Sequence, residues 1–364
     1  MRHALIMAGG AGTRLWPWSR ARRPKQLLPL VAGRSLLQLA FERLEGLVPP
    51  DRRWVCAAAA HEEAVRSALP GLSRDRFLGE PVGRDTLHAA GLAAAVIARE
   101  DPEAVVGVFT ADHVIEPPGV FRETVARGYE AAAFRDDLLV TFGVRPTFAG
   151  TGYGYLELGE PIEGGGRRVT AFREKPDAKR AAEWLAAGPD RYLWNSGMFV
   201  WRATALLKCI RAYRPDSAAA LERAAAEWGS PEWPDVLAAV YASLPKISVD
   251  YAVMEPASRD PAVTVATFRL DLDWIDVGSW AAVLRVQPRD EQGNACPAGR
   301  AELMDCRNTL AMSDDPSHLI VAIGCEGLVI VHTPDATLVC PAERAEEVRE
   351  LHRRVMERHG RAME

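Results

Sequence analysis

The chain has little that would make it a metal-knuckle, secreted or membrane protein. Its six cysteines (Cys56, Cys209, Cys296, Cys306, Cys325 and Cys340) are widely spread and form no C-x-x-C pair. Neither a zinc site nor a disulfide framework is signalled, and reduced thiols in the cytoplasm fit this spacing. No apolar run is long enough for a membrane span, and the apolar start at residues 3–8 stops at Gly9-Gly10, short of a signal peptide. There is no low-complexity segment. Charge of one sign is not in large excess either, and a net charge of -5 argues against bulk nucleic-acid binding. What is present is the composition of a folded globular protein: 48% apolar residues and 26% charged residues of both signs. At 364 residues the chain exceeds the size at which one core keeps growing, so one large domain with a smaller companion is expected.

The first 144 residues alternate short apolar runs with helical patterns, which predicts α/β architecture with a largely parallel sheet. Strands are expected at 3–8, 54–57, 105–110 and 138–144, and a helix at 86–99. Ser35 and Gln38 form a capping box ahead of Leu36, Leu37, Ala40, Phe41 and Leu44. After Gly150 turns multiply, Gly164-Gly165-Gly166 marks a loop before a strand at 168–172, and an inserted, more antiparallel, substrate-facing half is expected. Beyond about Gln287 short β-rich runs recur at 309–312, 319–323, 328–332 and 337–340, predicting a small all-β unit. From Glu343 onward, Ala345, Val348, Leu351, Val355 and Met356 recur every three or four residues, as in an amphipathic helix packed on a neighbour. Two domains follow, 1–286 and 287–364, the second ending in that helix.

Chemistry concentrates behind the first strand. Gly9, Gly10 and Gly12 are three glycines in four positions, and glycine lets backbone N–H groups approach a phosphate closely. The run lacks the third glycine of a dinucleotide fingerprint and the Gly-Lys-Ser/Thr of a Walker loop. A tight strand-to-helix turn would account for the glycines alone. Arg14, Arg20, Arg22, Arg23 and Lys25 then place five cations within twelve residues, on a backbone stiffened by Pro17, Pro24 and Pro29. A stiff cationic loop beside a glycine turn suits a triphosphate, although some of these cations read equally well as solvated surface. Asp112 stands just past the run 105–110, at the carboxyl end of a buried strand, where open α/β sheets bind ligands. A helix cap or a turn is the plainer reading of that aspartate. His88 and His113 have no metal-like partners in the sequence and read as packing or polar-network residues.

The pattern Gly9-Gly10-x-Gly12-Thr13-Arg14-Leu15-x-Pro17-x-Ser19, continued by Pro24-Lys25-Gln26, resembles the signature of the sugar-nucleotide pyrophosphorylases, and the middle and C-terminal segments resemble the guanylyltransferases. The resemblance covers roughly residues 3–340. It implies a Rossmann-like mixed sheet nucleotidyltransferase domain followed by an abbreviated left-handed β-helix. It also implies that the loop from Ala8 through Gly9, Gly10, Gly12 and Thr13 wraps a nucleoside triphosphate, with Arg14 and Lys25 on its phosphates. By the same resemblance Asp112 holds Mg²⁺, and Asp276, in Trp274-Ile275-Asp276-Val277-Gly278-Ser279-Trp280, completes the metal site, with Asp271 and Asp273 as nearby competitors. Three further segments are similar to the family's sugar-binding elements. They imply that Gly154 leaves room for the ring, that Glu174 accepts hydrogen bonds from hydroxyls, that Lys175 meets the sugar phosphate, and that Asn195 adds a bond to the hexose. Asp85 departs from the pattern, standing where the guanylyltransferases usually show an asparagine near the base, and Leu87-His88 stand in place of Ala-Pro. An ionised carboxylate only accepts hydrogen bonds, whereas an amide also donates.

The implied reaction is guanylyl transfer from GTP to mannose 1-phosphate, with Mg²⁺ as cofactor. Three rivals stay open at this point: another pair such as glucose 1-phosphate with UTP or dTTP, a non-catalytic nucleotide-sugar-binding subunit, and a nicotinamide-dependent dehydrogenase. Arg14, Lys25, Asp112 and Asp276 are all present, which argues against the second, and the missing third glycine argues against the last. The tail helix and the β unit could supply a homodimer contact.

Overall fold

The computed structural model describes residues 1–10 and 12–360, which divide into two compact units that do not follow chain order. The first is made of Met1–Ala8, Phe41–Thr110 and Ile115–Trp274; the second of Gly9–Ala40, Ala111–Val114 and the chain from Ile275 onward.

The first unit is built on a nine-stranded mixed sheet. Its strand order is Phe77–Glu80, Arg53–Ala58, Arg2–Met7, Val105–Thr110, Tyr192–Arg202, Leu138–Val144, Thr264–Leu270, Arg167–Arg173 and Tyr155–Pro161. The first four are mutually parallel. Their near-continuous apolar runs have the composition of strands covered on both faces, as the burial of all seven residues of Leu138–Val144 also shows. Tyr192–Arg202 enters antiparallel between Val105–Thr110 and Leu138–Val144, which makes the sheet mixed. The segment after Gly150 is antiparallel, as expected, and extends this same sheet: the hairpin Tyr155–Pro161/Arg167–Arg173 pairs antiparallel onto Thr264–Leu270. Its connection uses Gly164, Gly165 and Gly166 at φ between 84° and 88°, which only glycine adopts without strain.

The helix Thr86–Glu100 carries eleven buried residues and is covered by Ala203–Tyr213 and Pro215–Ala226. Gly91 permits that approach, since a Cβ there would lie 2.7 Å from Leu221 Cδ1 and 2.9 Å from Ile210 Cδ1. Pro215–Ala226, on which Trp233–Ser243 packs, gives no clear period in the sequence because alanine dominates it and blurs the apolar stripe. Asp85 caps the long helix: its φ is +69° and its carboxylate accepts from Thr86 N–H at 2.8 Å. His88 is buried within this layer, with Nδ1 against the Arg84 carbonyl at 3.1 Å and Nε2 against Ser217 Oγ at 3.3 Å.

At the end of the strand Phe77–Glu80 the Glu80 carboxyl is buried beside Tyr241 and Cys56. Burial pushes it up to about 7, only partly offset by Tyr241 and Cys56. A carboxyl raised in the folded state keeps its proton there after the unfolded chain has lost it. The fold therefore loses stability as pH rises from the ordinary carboxyl range through about 7. The Glu80→Gln variant is expected to match the parent at pH 4.5 and to exceed it by up to about 3 kcal/mol at pH 8, at about 1.4 kcal/mol per pH unit. Urea unfolding at the two pH values checks this, and an equal effect at both contradicts it.

The second unit holds the β-rich coil. Ala295–Ala298, Leu310–Ser313 and Leu328–Thr333 stack in parallel on one face, Arg300–Met304 and Leu319–Ile323 stack in parallel on another, and an isolated parallel bridge joins Arg307 to Glu326. Successive coils stacked in parallel on three faces are the geometry of a β-helix. Ala336–Pro341 closes it antiparallel to Leu328–Thr333.

The stretch that follows the glycine turn belongs to this unit. Leu15, Trp16, Trp18, Leu28 and Leu30 share one core with Trp280, Leu310, Val329, Val331 and Leu338. Trp280 Nε1 donates to the Trp16 carbonyl at 3.0 Å, while Arg20 pairs with Asp335 at 2.6 Å and Arg23 with Asp314 at 2.8 Å. The capping box forms reciprocally, Ser35 N–H to Gln38 Oε1 at 2.8 Å and Gln38 N–H to Ser35 Oγ at 3.2 Å. The tail is a 3-10 segment, Ala342–Glu347, then a helix, Val348–His359. Ala345 and Val348 are buried and Val355 packs on the core, but Leu351 faces outward, so the buried stripe is narrower than the sequence period suggests.

Candidate active site

Around the glycine turn the backbone is set by residues that tolerate left-handed geometry. Gly10 has φ +112° and Gly12 has φ +60°. A Cβ on Gly12 would lie 2.6 Å from Ser19 Oγ and 2.8 Å from Lys25 Cβ, so the turn folds tightly against the cationic stretch. Gln26 donates its amide N–H to the Gly9 carbonyl, tying the two ends of the loop together. Pro24, at φ -66°, starts the 3-10 turn Lys25–Leu27. Lys25 Nζ then lies 2.7 Å from Asp112 Oδ2, with only 12% of its side chain exposed.

Asp112 and Asp276 are brought side by side by the backbone, because Val277 N–H donates to the Asp112 carbonyl at 2.9 Å. Ligand atoms of Asp112, Asp276 and His113 all lie within 4.8 Å of one another. Asp276, and neither Asp271 nor Asp273, joins this cluster; Asp271 pairs with Arg269 at 2.6 Å instead. His113, read from sequence as lacking metal-like partners, has them in the fold: its Nε2 is 3.6 Å from Asp112 Oδ1. No spacing rule could have shown this, since the third group arrives from a distant part of the chain.

The charges explain each other. Burial alone would raise Asp112, but the Lys25 ammonium and His113 overcome it and hold its carboxyl below the usual range. Asp276 is pushed up, by burial first and by the Asp112 charge second. Burial opposes the Lys25 ammonium too, yet Asp112 and Asp276 outweigh it and keep it charged. Two carboxylates crowded together with one cation between their demands form a site with an appetite for further positive charge. Arg14, 42% exposed, is held at 2.9 Å by Glu346 from the tail segment, and its guanidinium also bears on Asp276. Arg20 and Arg23 are committed to Asp335 and Asp314, so those two cations of the original five serve the packing of the loop.

In the first unit a second polar group forms. Gly154 C=O accepts from Asn195 N–H at 2.8 Å, and a Cβ on Gly154 would fall 2.5 Å from Glu174 Oε2. The space above Gly154 is therefore filled by the Glu174 carboxylate. Lys175, at the strained φ of +45°, directs its Nζ to Glu174 Oε1 at 3.1 Å. Asn195 is buried, with Oδ1 accepting from Thr141 Oγ1 at 2.7 Å and Nδ2 donating to Asp250 Oδ1 at 2.9 Å. Tyr153 and Trp194 pack with ring centroids 4.8 Å apart, and Trp274 lies 5.4 Å from Tyr153, an aromatic wall adjoining these residues. Asp250 was missed in the sequence because nothing in Ser248-Val249-Asp250-Tyr251 has a chemical spacing. Ala8 is buried, its N–H bonded to the Cys56 carbonyl at 2.8 Å.

A family model for nucleotidyl transferases matches residues 3–293, and one for the MannoseP isomerase/GMP-like β-helix domain matches residues 299–355. Mannose-1-phosphate guanylyltransferase of Klebsiella pneumoniae is 40% identical over 352 residues, covering 95% of this chain and 72% of the relative. The chain belongs to the mannose-1-phosphate guanylyltransferase family of nucleotidyltransferases. The xanthan biosynthesis protein XanB of Xanthomonas campestris pv. campestris is likewise 40% identical, over 95% of this chain and 72% of its own length. A solved structure, mannose-1-phosphate geranyltransferase from Thermus thermophilus, superposes with a TM-score of 0.85 at 37% identity, over 97% of this chain and 99% of that one. The nucleotidyltransferase is thus an enzyme with a Rossmann-like mixed sheet and a left-handed β-helix. Among the described residues no helix is long and apolar enough to cross a membrane.

Proposed function

We propose that the enzyme transfers the guanylyl group of GTP to mannose 1-phosphate, giving GDP-mannose and pyrophosphate. The observation that carries the proposal is the Lys25–Asp112–Asp276 cluster set directly behind a glycine turn. In this reading a phosphate oxygen of mannose 1-phosphate attacks the α-phosphorus of GTP in line. The new P–O bond forms as the bond to the β-phosphate oxygen breaks, and pyrophosphate leaves with that electron pair. The attacking oxygen already carries charge at neutral pH, so no side-chain nucleophile or strong general base is needed. The protein's task is charge stabilisation and alignment.

Arg14 and Lys25 serve as cations for the triphosphate and the departing pyrophosphate, with backbone N–H groups of Gly9, Gly10, Gly12 and Thr13 facing the phosphates. Asp112 and Asp276 would hold Mg²⁺, for which two carboxylates suffice, with His113 beside them; their mutual repulsion is the feature that fits a divalent cation. When bound, the ion neutralises phosphate oxygens and reduces their repulsion. Because Asp112 has Lys25 as its present counter-charge, a divalent cation there would leave the ammonium for the phosphates. Glu174 and Asn195 are assigned to the hexose and Lys175 to its phosphate. The unpaired cysteines favour a reducing, cytoplasmic setting.

Asp85, the departure from the family's asparagine, is compatible with guanine. At φ +69° and ψ -175° Asp85 holds a conformation strained for an L-residue, and one oxygen of its carboxylate, Oδ1, caps the helix. The second oxygen lies outside the cap, so Asp85 can still accept hydrogen bonds from guanine N–H groups. Several sugar 1-phosphates tested against four nucleoside triphosphates with Mg²⁺ should give the highest kcat/KM for mannose 1-phosphate with GTP. A preference for glucose 1-phosphate with UTP or dTTP would replace the substrates while keeping the reaction.

A further inference from the structure

The hexose group described above contains a residue with no assigned part, Asp250, the first residue of the π-helical turn Asp250–Met254. Such turns place a side chain off the ordinary helical period and recur at functional sites. Resting on the proposed reaction, we propose that Asp250 is a sugar-recognising residue: it fixes the Asn195 amide with one carboxylate oxygen and offers the other, beside Glu174, to a hydroxyl of the hexose.

Three observations carry this. First, the Asn195 amide is tied at both ends: its oxygen accepts from Thr141 Oγ1, and one of its N–H groups goes to Asp250 Oδ1. An amide so held cannot flip, and it has one N–H left to present. Thr141 cannot set the orientation alone, because a hydroxyl can donate to an oxygen or accept from an N–H, whereas a carboxyl oxygen without a proton only accepts, and Asp250 Oδ1 stays such an acceptor whether or not Oδ2 carries the proton. Second, Asp250 is half-buried, and the groups facing it are Glu174, Lys175 and Asn195, with Tyr251 as its chain neighbour beside Lys175. Three of these four side chains are the ones already assigned to the sugar phosphate. Third, two carboxyl groups sharing one small space are poorly suited to packing but well suited to a polyol, whose neighbouring hydroxyls each donate one hydrogen bond. Burial and the Glu174 charge push Asp250 up to about 7, so near neutral pH the pair can both donate and accept. That mixed capacity matches a diol, in which each hydroxyl is donor and acceptor at once.

The test uses the full chain, as Asp250→Asn and Asp250→Ala, with mannose 1-phosphate and its 2-epimer glucose 1-phosphate as probes. Calorimetric Kd and steady-state KM should weaken for mannose 1-phosphate by about tenfold or more in both variants, the usual scale for a lost hydrogen bond to a charged group. KM for GTP should stay within about twofold, and the preference between the two epimers should contract. Unchanged binding of mannose 1-phosphate would overturn the inference while wild-type turnover kept the reaction itself standing. Equal losses for both substrates in both variants, or a lowered melting temperature that accounts for them, would reduce Asp250 to a structural role and overturn it as well. A wild-type protein that binds neither sugar phosphate would remove the reaction, and the inference with it.

Discussion

Lys25→Ala lowers kcat by about 10²–10³-fold, the scale on which removal of one preorganised charge-stabilising group acts. The argument starts from the site's own electrostatics. Lys25 is the lysine of the cluster, and two carboxylates hold its ammonium ionised despite burial. In the proposed reaction negative charge builds on pyrophosphate as the α–β bond breaks, and an ammonium already stripped of much of its water interacts with it more strongly than a solvated one. Asp112→Asn should cost a similar factor by a different route: it keeps the shape of the side chain but removes half of the carboxylate pair that would hold the divalent cation. Raising Mg²⁺ should partly restore Asp112→Asn and leave Lys25→Ala unrestored. Pyrophosphate release gives kcat, and far-UV circular dichroism checks the fold. Both cluster members are partly open to solvent, 12% for Lys25 and 24% for Asp112, so the surviving carboxyls can take up a proton and the fold should persist. Wild-type turnover in either variant would remove these residues from the chemistry.

Gly12→Ala should lower kcat/KM by about 10²-fold or more, although one methyl group is all that is added. The left-handed φ of +60° costs an L-residue about 1 kcal/mol, and the new Cβ would sit 2.6 Å from Ser19 Oγ and 2.8 Å from Lys25 Cβ. Neither neighbour can yield freely, because Ser19 is buried and Lys25 is anchored between Pro24 and its ion pair with Asp112. The loop must shift, and Lys25 shifts with it; a displacement near 1 Å at a reacting group costs on the order of 10²-fold. Gly119→Ala is the matched control. Among the described residues nothing lies within 4 Å of a Cβ there and its φ is ordinary, so activity and stability should stay near those of the parent or rise slightly. Equal activity of the two glycine variants would contradict the picture of a loop packed onto its own lysine.

Much of the fold was legible because its signals are local. Val105–Thr110, Leu138–Val144 and Leu319–Ile323 fall at the predicted residues, since a short apolar run bounded by turn residues has few other homes. The Ser35–Gln38 capping box was readable for the same reason: its two hydrogen bonds join residues three apart. The alanine-rich helix Pro215–Ala226 was not, because alanine fits a buried face and an exposed one equally and blurs the period. The hairpin beginning at Tyr155 was read as an insertion, as sheet membership depends on pairing with Thr264–Leu270 about a hundred residues away. The site divides in the same manner. The glycines, Lys25 and Asp112 stand in a recognisable order, whereas the commitment of Arg20 and Arg23 to Asp335 and Asp314, the arrival of His113 beside Asp276, and the hydrogen bond from Asn195 to Asp250 are products of chain folding.

Release of pyrophosphate from GTP by the purified chain, measured with and without mannose 1-phosphate and with and without Mg²⁺, tests the central claim most directly. The account predicts one pyrophosphate per GDP-mannose formed, only when all three components are present, and the reverse formation of GTP when GDP-mannose and pyrophosphate are supplied. No pyrophosphate release with any sugar 1-phosphate and any nucleoside triphosphate, in the presence of Mg²⁺, would contradict it.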